Sequence, residues 1–374
     1  MQIYDLQSLV GKQTRELDTP ELVVDLDRLE DNVARMAAFF EGRRARLRPH
    51  FKTHKCLEIA RRQIAAGAIG ITCAKLGEAE VLATAGFENI LIAGPVTGRA
   101  KVARLASLLS LGAARGRALE VLVTVDDGRN LDELGRAMET SGVSLGVLVE
   151  MDVGLGRFGA RSIDAAVELG RGASATPGIE LRGLMGYEGH AVFIGDADER
   201  ARVAGEALAR LGEAVAAFEA AGLDAGIVSA GGTGTYAIAG AHPAVTEVQA
   251  GSYVLMDARY RAILPGFEPA LLVLSSVVSA PERGRAVVDA GLKTMTQEFG
   301  LPVPLAEGAR LERLSEEYGI LEIDPDSAPF APGDRVAFLP THACTTVNLH
   351  ERLVAVRGDM VEAVWPVAGR GCVR

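Results

Sequence analysis

The sequence is as informative in what it lacks as in what it holds. It has only four cysteines, Cys56, Cys73, Cys344 and Cys372, and they show no paired spacing. It has no excess of positive charge: the formal net charge is −10, which argues against nucleic acid and against an anionic membrane surface as partners. The opening Met1-Gln2-Ile3-Tyr4-Asp5 does not read as a signal peptide. Unpaired thiols behind such a start point to a reducing cytoplasm, where cysteines stay free or bind metal. No run reads as a membrane span. The charge-free stretch from Ala225 to Thr246 holds five glycines and a proline, and reads as strand, loop and helix start. There is no internal repeat of fixed period and no low-complexity segment.

What is present is enough apolar material for a sizeable core, 48% of 374 residues. That length exceeds most single cores, so one large and one smaller domain are expected. Residues 1–20 read as an arm leading into a strand from Glu21 to Asp25. From about residue 27, short apolar runs alternate with helical patterns. The runs are Leu47–His50, Ile69–Cys73, Ile90–Ala93, Val121–Val125, Leu145–Glu150, Leu181–Tyr187, Ile227–Ala230 and Glu247–Ala250. Helical segments between them include Leu76–Ala85, Arg99–Leu111, Asn130–Thr140, Arg161–Gly170 and Ala201–Ala221. This alternation over roughly 225 residues predicts an α/β fold, a (β/α)8 TIM-type barrel. After Pro265 the texture turns β-rich, with runs such as Leu271–Ser279, Ala286–Asp289, Arg335–Leu339 and Leu353–Val356. The expected organisation is an arm and strand at 1–25 joining a β domain, a barrel at 26–265, and a C-terminal all-β domain at 266–374.

The chain is organised around residues 47–55, Leu-Arg-Pro-His-Phe-Lys-Thr-His-Lys. Leu29, Val33, Met36, Ala37 and Phe40 form a helical stripe before it, and Leu57, Ile59, Ala60, Ile64 and Ala65 form one after it. Three cations and the imidazoles of His50 and His54 are an odd load for a strand between two helices. If that strand is buried, Lys52 ends at its mouth. Desolvation beside Arg48 and Lys55 would lower its pKa and free the amine to form a Schiff base. A solvated loop lysine is an equal alternative on this segment alone.

Other stretches carry polar chemistry. Ser229-Ala230-Gly231-Gly232-Thr233-Gly234-Thr235 follows the seventh barrel run. Glycines there let backbone N–H groups approach an anion, and barrels commonly bind phosphate after strands seven and eight. A flexible glycine turn is the plainer alternative. Asp152-Val153-Gly154-Leu155-Gly156-Arg157-Phe158-Gly159 follows the fifth run, where its glycines free the loop to fold over a ligand. Gly186-Tyr187-Glu188-Gly189-His190 places a phenol, a carboxyl and an imidazole at one rim, groups that suit general acid–base work or simply meet solvent. In the β-rich part, His342 and Cys344 stand two apart, on one side of an extended segment. Imidazole and thiolate suit zinc, although a buried cysteine beside a hydrogen-bonded histidine is the commoner meaning of such a pair.

Pro-His-x-Lys-x-His-Lys at residues 49–55, with Asp18-Thr19-Pro20 and Val23-Val24-Asp25-Leu26 upstream, resembles the D-threonine aldolase and D-serine dehydratase family. These are pyridoxal-phosphate enzymes of the alanine-racemase-like fold. The resemblance runs from Asp18 to Arg374 and is most specific at Lys52, at 231–235 and at 249–253. It implies that Lys52, near His50, holds the aldehyde of pyridoxal 5′-phosphate and that Arg157 sits in the cofactor pocket. An arginine beside the pyridine nitrogen would keep that nitrogen unprotonated and limit the ring as an electron sink; an Arg157 that only pairs with Asp152 is the alternative. Gly232, Thr233 and Gly234 match the family's phosphate loop, and Gly251, Ser252 and Tyr253, followed by Met256-Asp257, complete the phosphate cup. The resemblance further implies a homodimer whose protomers share the site, and a divalent metal, zinc, manganese or magnesium, at His342 and Cys344.

Thr346-Val347-Asn348-Leu349-His350 and Ala368-Gly369-Arg370-Gly371 look aldolase-like. Two positions do not. Cys344 stands where the aldolases carry an aspartate and the dehydratases a cysteine. Glu188 stands where the aldolases have a histidine, and His190 follows two residues later. The expected function is a metal-dependent lyase acting on β-hydroxy-D-amino acids, with Lys52, His190, Glu188 and Tyr187 as its catalytic groups. Retro-aldol cleavage to glycine and an aldehyde is the main expectation, and deamination to a keto acid and ammonia is the alternative. An amino-acid racemase and a non-catalytic cofactor carrier are the more distant ones; such carriers lack a second β domain.

Overall fold

The computed structural model describes residues 6–114, 116 and 119–374. In chain order its strands are β1 (Glu21–Asp25), β2 (Arg46–Leu47), β3 (Ile71–Cys73), β4 (Asn89–Ile92), β5 (Glu120–Val125), β6 (Leu145–Glu150), β7 (Ile179–Met185), β8 (Ile227–Ala230), β9 (Glu247–Val248), β10 (Leu271–Glu282), β11 (Arg285–Val288), β12 (Val303–Pro304), β13 (Ala309–Leu314), β14 (Gly319–Ile323), β15 (Arg335–Leu339), β16 (Arg352–Arg357) and β17 (Met360–Pro366). The α-helices are α1 (Leu26–Phe40), α2 (Leu57–Ala65), α3 (Leu76–Thr84), α4 (Arg99–Ala114), α5 (Gly128–Ser141), α6 (Ile163–Ala175), α7 (Ala197–Ala220), α8 (Tyr236–Ala241), α9 (Ala258–Ile263) and α10 (Ala343–Val347). They fall into two compact units that interleave in sequence. One holds Met36–Lys52, Ala60–Gly251 and Gly371–Arg374; the other holds the described residues up to Arg35, Thr53–Ile59 and Ser252–Arg370.

The first unit is the expected barrel. Its eight strands run parallel in the order β2-β9-β8-β7-β6-β5-β4-β3. The ring closes where Ile69 N–H donates to Leu47 O and Thr72 N–H to Pro49 O, both at 2.9 Å. Strands buried on both faces need near-continuous apolar runs, as in Val121-Leu122-Val123 and Leu145 to Val149. The crossover helices start on caps written in the sequence. Asp127, Ser162 and Asp196 accept N–H groups in the first turns of α5, α6 and α7.

Arg48 is one of the charged side chains buried inside this unit. Arg48 is 2% exposed and binds Glu247 at 2.9 Å and Asn89 Oδ1 at 2.5 Å. A Cβ on Gly70 would come within 2.4 Å of the Arg48 guanidinium, so only glycine leaves it room. Of the cations expected beside Lys52, Arg48 is thus neutralised by Glu247.

The second unit is built on a mixed sheet ordered β13-β14-β11-β10-β1-β16-β17, with β15 on β10 and β12 on β15. β1 lies between β10, antiparallel to it, and β16, parallel to it. Leu17, Val23, Val354, Val356, Val361 and Val364 form a core cluster there. The short helices α9 and α10 also belong to this unit. It also begins at Ser252 rather than near 266. The segment after Gly251 is tied into it by Ala258 N–H to Pro340 O at 2.9 Å and Ala270 N–H to Leu255 O at 2.8 Å. Asn32 adds side-chain bonds to the carbonyls of Val254 and Glu268. Among the described residues no helix is long and apolar enough to cross a membrane, and the four cysteines are free thiols.

Candidate active site

Two polar clusters carry the predicted residues, one in each unit. In the barrel, a 3-10 turn from Phe51 to Thr53 follows β2 and leaves Lys52 half-buried. The Lys52 N–H donates to His50 Nδ1 at 3.4 Å, which ties the imidazole to the lysine's own backbone.

The glycine loop after β8 is packed so closely that side chains are excluded. A Cβ on Gly234 would meet Val192 O at 1.9 Å, and one on Gly232 would meet the Tyr187 hydroxyl at 3.2 Å. Backbone in such a loop can approach an anion directly. Thr233 and Thr235 are buried there, and Thr235 Oγ1 accepts the Gly232 N–H at 3.1 Å.

Glu188 is not at a solvent rim. It is fully buried beneath this loop, where Oε2 accepts Gly231 N–H at 3.1 Å and Oε1 accepts the Thr235 hydroxyl at 2.5 Å. Burial pushes its pKa up, against the lowering effect of those hydrogen bonds. An acid committed to two loop donors is a structural clamp, which corrects its expected place among the rim groups. Tyr187 is half-buried and packs on Gly232. His190 is exposed, with its ring against Gly154 of the loop after β6.

That loop is shaped by Asp152, whose Oδ1 accepts the N–H groups of Gly154 and Gly156 and whose Oδ2 pairs with Arg161. Gly159, at φ +110°, has no space for a Cβ, which would lie 2.6 Å from Asp152 N. Asp152 thus pairs with Arg161, while the exposed Arg157 guanidinium lies over the rings of Phe158 at 4.1 Å and Tyr187 at 5.8 Å.

Sequence reasoning missed Glu150, at the end of β6. It is 3% exposed, and Oε2 has no hydrogen-bond partner. Burial raises its pKa to about 8, against the opposing pull of Arg157 and Thr124. The signal was a lone acid closing a buried apolar run.

The second cluster surrounds α10. His342 is its N-cap and Cys344 lies in its first turn, so the pair sits on a helix start and not on the extended segment expected. The His342 ring is half-buried. Its Nδ1 pairs with Glu298 Oε1 at 2.6 Å. Burial alone would lower the His342 pKa, but Cys344, Glu298 and Asp257 together raise it to about 9. Buried Asp257 caps α9 and also accepts the N–H of Ala343, the residue between His342 and Cys344. The thiol of Cys344 lies 3.4 Å from Thr53 Oγ1 and 3.9 Å from Ser252 Oγ. Tyr253 is fully buried, edge-on to Phe267. Lys55, the third cation of the 47–55 stretch, binds Asn348 Oδ1 at 2.8 Å. Among the described residues, no group of three or more His, Cys, Asp and Glu has the arrangement of a complete metal cage. An imidazole and a thiol side by side are nevertheless a two-ligand donor set suited to a divalent ion.

Residues 24–259 match the family model described as the alanine racemase N-terminal domain, and residues 270–356 match a putative serine dehydratase domain. The chain is 36% identical to a 3-hydroxy-D-aspartate aldolase of Paracoccus denitrificans (strain Pd 1222), over 98% of this chain and 96% of the relative. Its structure is similar to that of a D-threonine aldolase from Filomicrobium marinum, with TM-score 0.93 and 39% identity over 98% of this chain and 99% of the other. It is also similar to a D-threo-3-hydroxyaspartate dehydratase from Delftia sp. HT23, with TM-score 0.84 and 31% identity over 95% and 98% of the two chains. A mutant of a dehydratase of that name has been solved in a metal-free form.

Proposed function

The chain belongs to the alanine-racemase-like family of D-threonine aldolases and D-serine dehydratase-type lyases, and from that premise we propose that it cleaves β-hydroxy-D-amino acids to glycine and an aldehyde. The observation that carries this reading is the likeness to aldolases at 36% and 39% identity along the whole chain, against 33% and 31% for the dehydratase.

The barrel cluster suits pyridoxal 5′-phosphate. Lys52 would hold its aldehyde, and the loop 231–235, packed too tightly for side chains at Gly232 and Gly234, would take its phosphate with Gly251, Ser252 and Tyr253. Bound there, the cofactor supplies an electron sink for charge developing at the substrate Cα. Arg157, stacked on Tyr187, would stand in the cofactor pocket. Glu188 keeps the loop in shape. His190, exposed and beside a glycine, is the group assigned to take the proton of the substrate hydroxyl.

His342 and Cys344 are the proposed ligands of a divalent ion, zinc, manganese or magnesium. Such an ion supplies Lewis acidity to the substrate hydroxyl. Cys344 in place of the family aldolases' aspartate favours the second reading, deamination to a keto acid and ammonia. On the same family reading the protein would act as a homodimer, and its unpaired cysteines suit a reducing cytoplasm.

Turnover of β-hydroxy-D- and L-amino acids, with and without a chelator, tests the proposal. Loss of the D-isomer alone, abolished by chelation, is the expected result. A cofactor carrier would consume neither isomer. A racemase would interconvert them despite the chelator.

A further inference from the structure

The His342 ring is held from two sides by groups 43 and 44 residues away in sequence. Glu298 Oε1 meets Nδ1 at 2.6 Å, and the Phe299 ring lies against the imidazole with centroids 4.8 Å apart. Glu298 is itself held: Thr345, one turn into α10, donates its hydroxyl to the same Oε1. Phe299 in turn lies under the Arg259 guanidinium, 4.0 Å from its centroid. An imidazole that gives Nδ1 to a carboxylate keeps Nε2 as its one remaining donor atom. Outer partners of this kind fix the tautomer and orientation of a metal-binding histidine, and losing one typically weakens metal binding roughly 10–100-fold.

We propose that Glu298 is a positioning residue for the metal site: its carboxylate fixes the His342 ring so that Nε2 is presented to a divalent ion. This rests on the reading of His342 and Cys344 as metal ligands. Nothing in the sequence around Glu298 marks it for such a part, because its partner lies 44 residues away.

The test is equilibrium dialysis of Mn²⁺ alone against the cofactor-loaded wild type and the variants Glu298→Gln, Glu298→Ala and His342→Ala. Wild type binds Mn²⁺, His342→Ala loses binding, and Glu298→Ala weakens it about 10–100-fold with Glu298→Gln in between. In both Glu298 variants the visible absorbance of the bound cofactor stays at the wild-type level. Excess Mn²⁺ restores their turnover, so the apparent KM for metal rises and kcat recovers; a general loss of folding would move the absorbance and resist rescue. Glu298 variants that bind Mn²⁺ as tightly as wild type overturn the role of Glu298 and leave the ligand pair standing. A wild type that binds no divalent ion, with His342→Ala indistinguishable from it, overturns the ligand pair and this inference together.

Discussion

Glu188 and Thr235 are joined by a 2.5 Å hydrogen bond between two fully buried side chains, 47 residues apart in sequence. The carboxyl group thereby ties the start of the glycine loop to its end, because its other oxygen takes the Gly231 N–H. Its removal leaves buried donors without their acceptor, at about 1–3 kcal/mol for each. Glu188→Ala is expected to lower stability by that order and to weaken pyridoxal phosphate binding at least about tenfold. Titration of the apoenzyme with cofactor, followed by absorbance, measures the second effect. Unchanged cofactor affinity would show that the clamp does not shape the phosphate loop.

Glu150 makes stability depend on pH. In the folded protein its pKa is raised to about 8 from an ordinary 4.5. Between those values the folded state binds the extra proton, so stability falls as pH rises, by up to about 1.4 kcal/mol per pH unit. The contribution is fully favourable below about 4.5 and is spent above about 8. Glu150→Gln should flatten this slope and exceed the wild type in stability at pH 8.5. Urea midpoints at pH 5.5 and 8.5 for both proteins decide it. Parallel pH profiles would mean that Glu150 is ionised in the fold.

Lys52→Ala should lose the visible absorbance of the bound cofactor and all turnover. Borohydride treatment followed by dialysis makes the comparison direct: wild type retains the cofactor covalently, and the variant does not. A variant that retains it would place the attachment on another lysine.

Cys344→Ala should lose metal and activity together while the cofactor spectrum stays intact. Metal content of the dialysed protein, read beside turnover, checks this. Full activity in the variant would remove Cys344 from the metal site.

The barrel was legible because each of its strands is a short apolar run followed by a helical period. All eight runs recur as β2 to β9, within a few residues at their ends. The sheet of the second unit was legible at β1, β10, β11, β15 and β16 for the same reason. Side-chain roles were harder to read where they depend on packing over long separations. Arg48 seemed to add charge near Lys52, yet Glu247, 199 residues on, neutralises it inside the barrel. Glu188 sat in a motif of rim-like groups, yet its partners Gly231 and Thr235 bury it. His342 and Cys344 were found as a pair, but their support by Glu298 and Asp257 comes from loops far away in sequence. Local pattern reports elements and neighbours; it does not report which distant group satisfies a buried charge.

The central claim is the reaction itself. Purified cofactor-loaded protein with D-threonine and Mn²⁺, assayed for all four products in one vessel, tests it most directly. The account predicts glycine and acetaldehyde in equal amounts, with no ammonia released. Ammonia and 2-oxobutyrate in place of glycine would contradict it and make the protein a dehydratase.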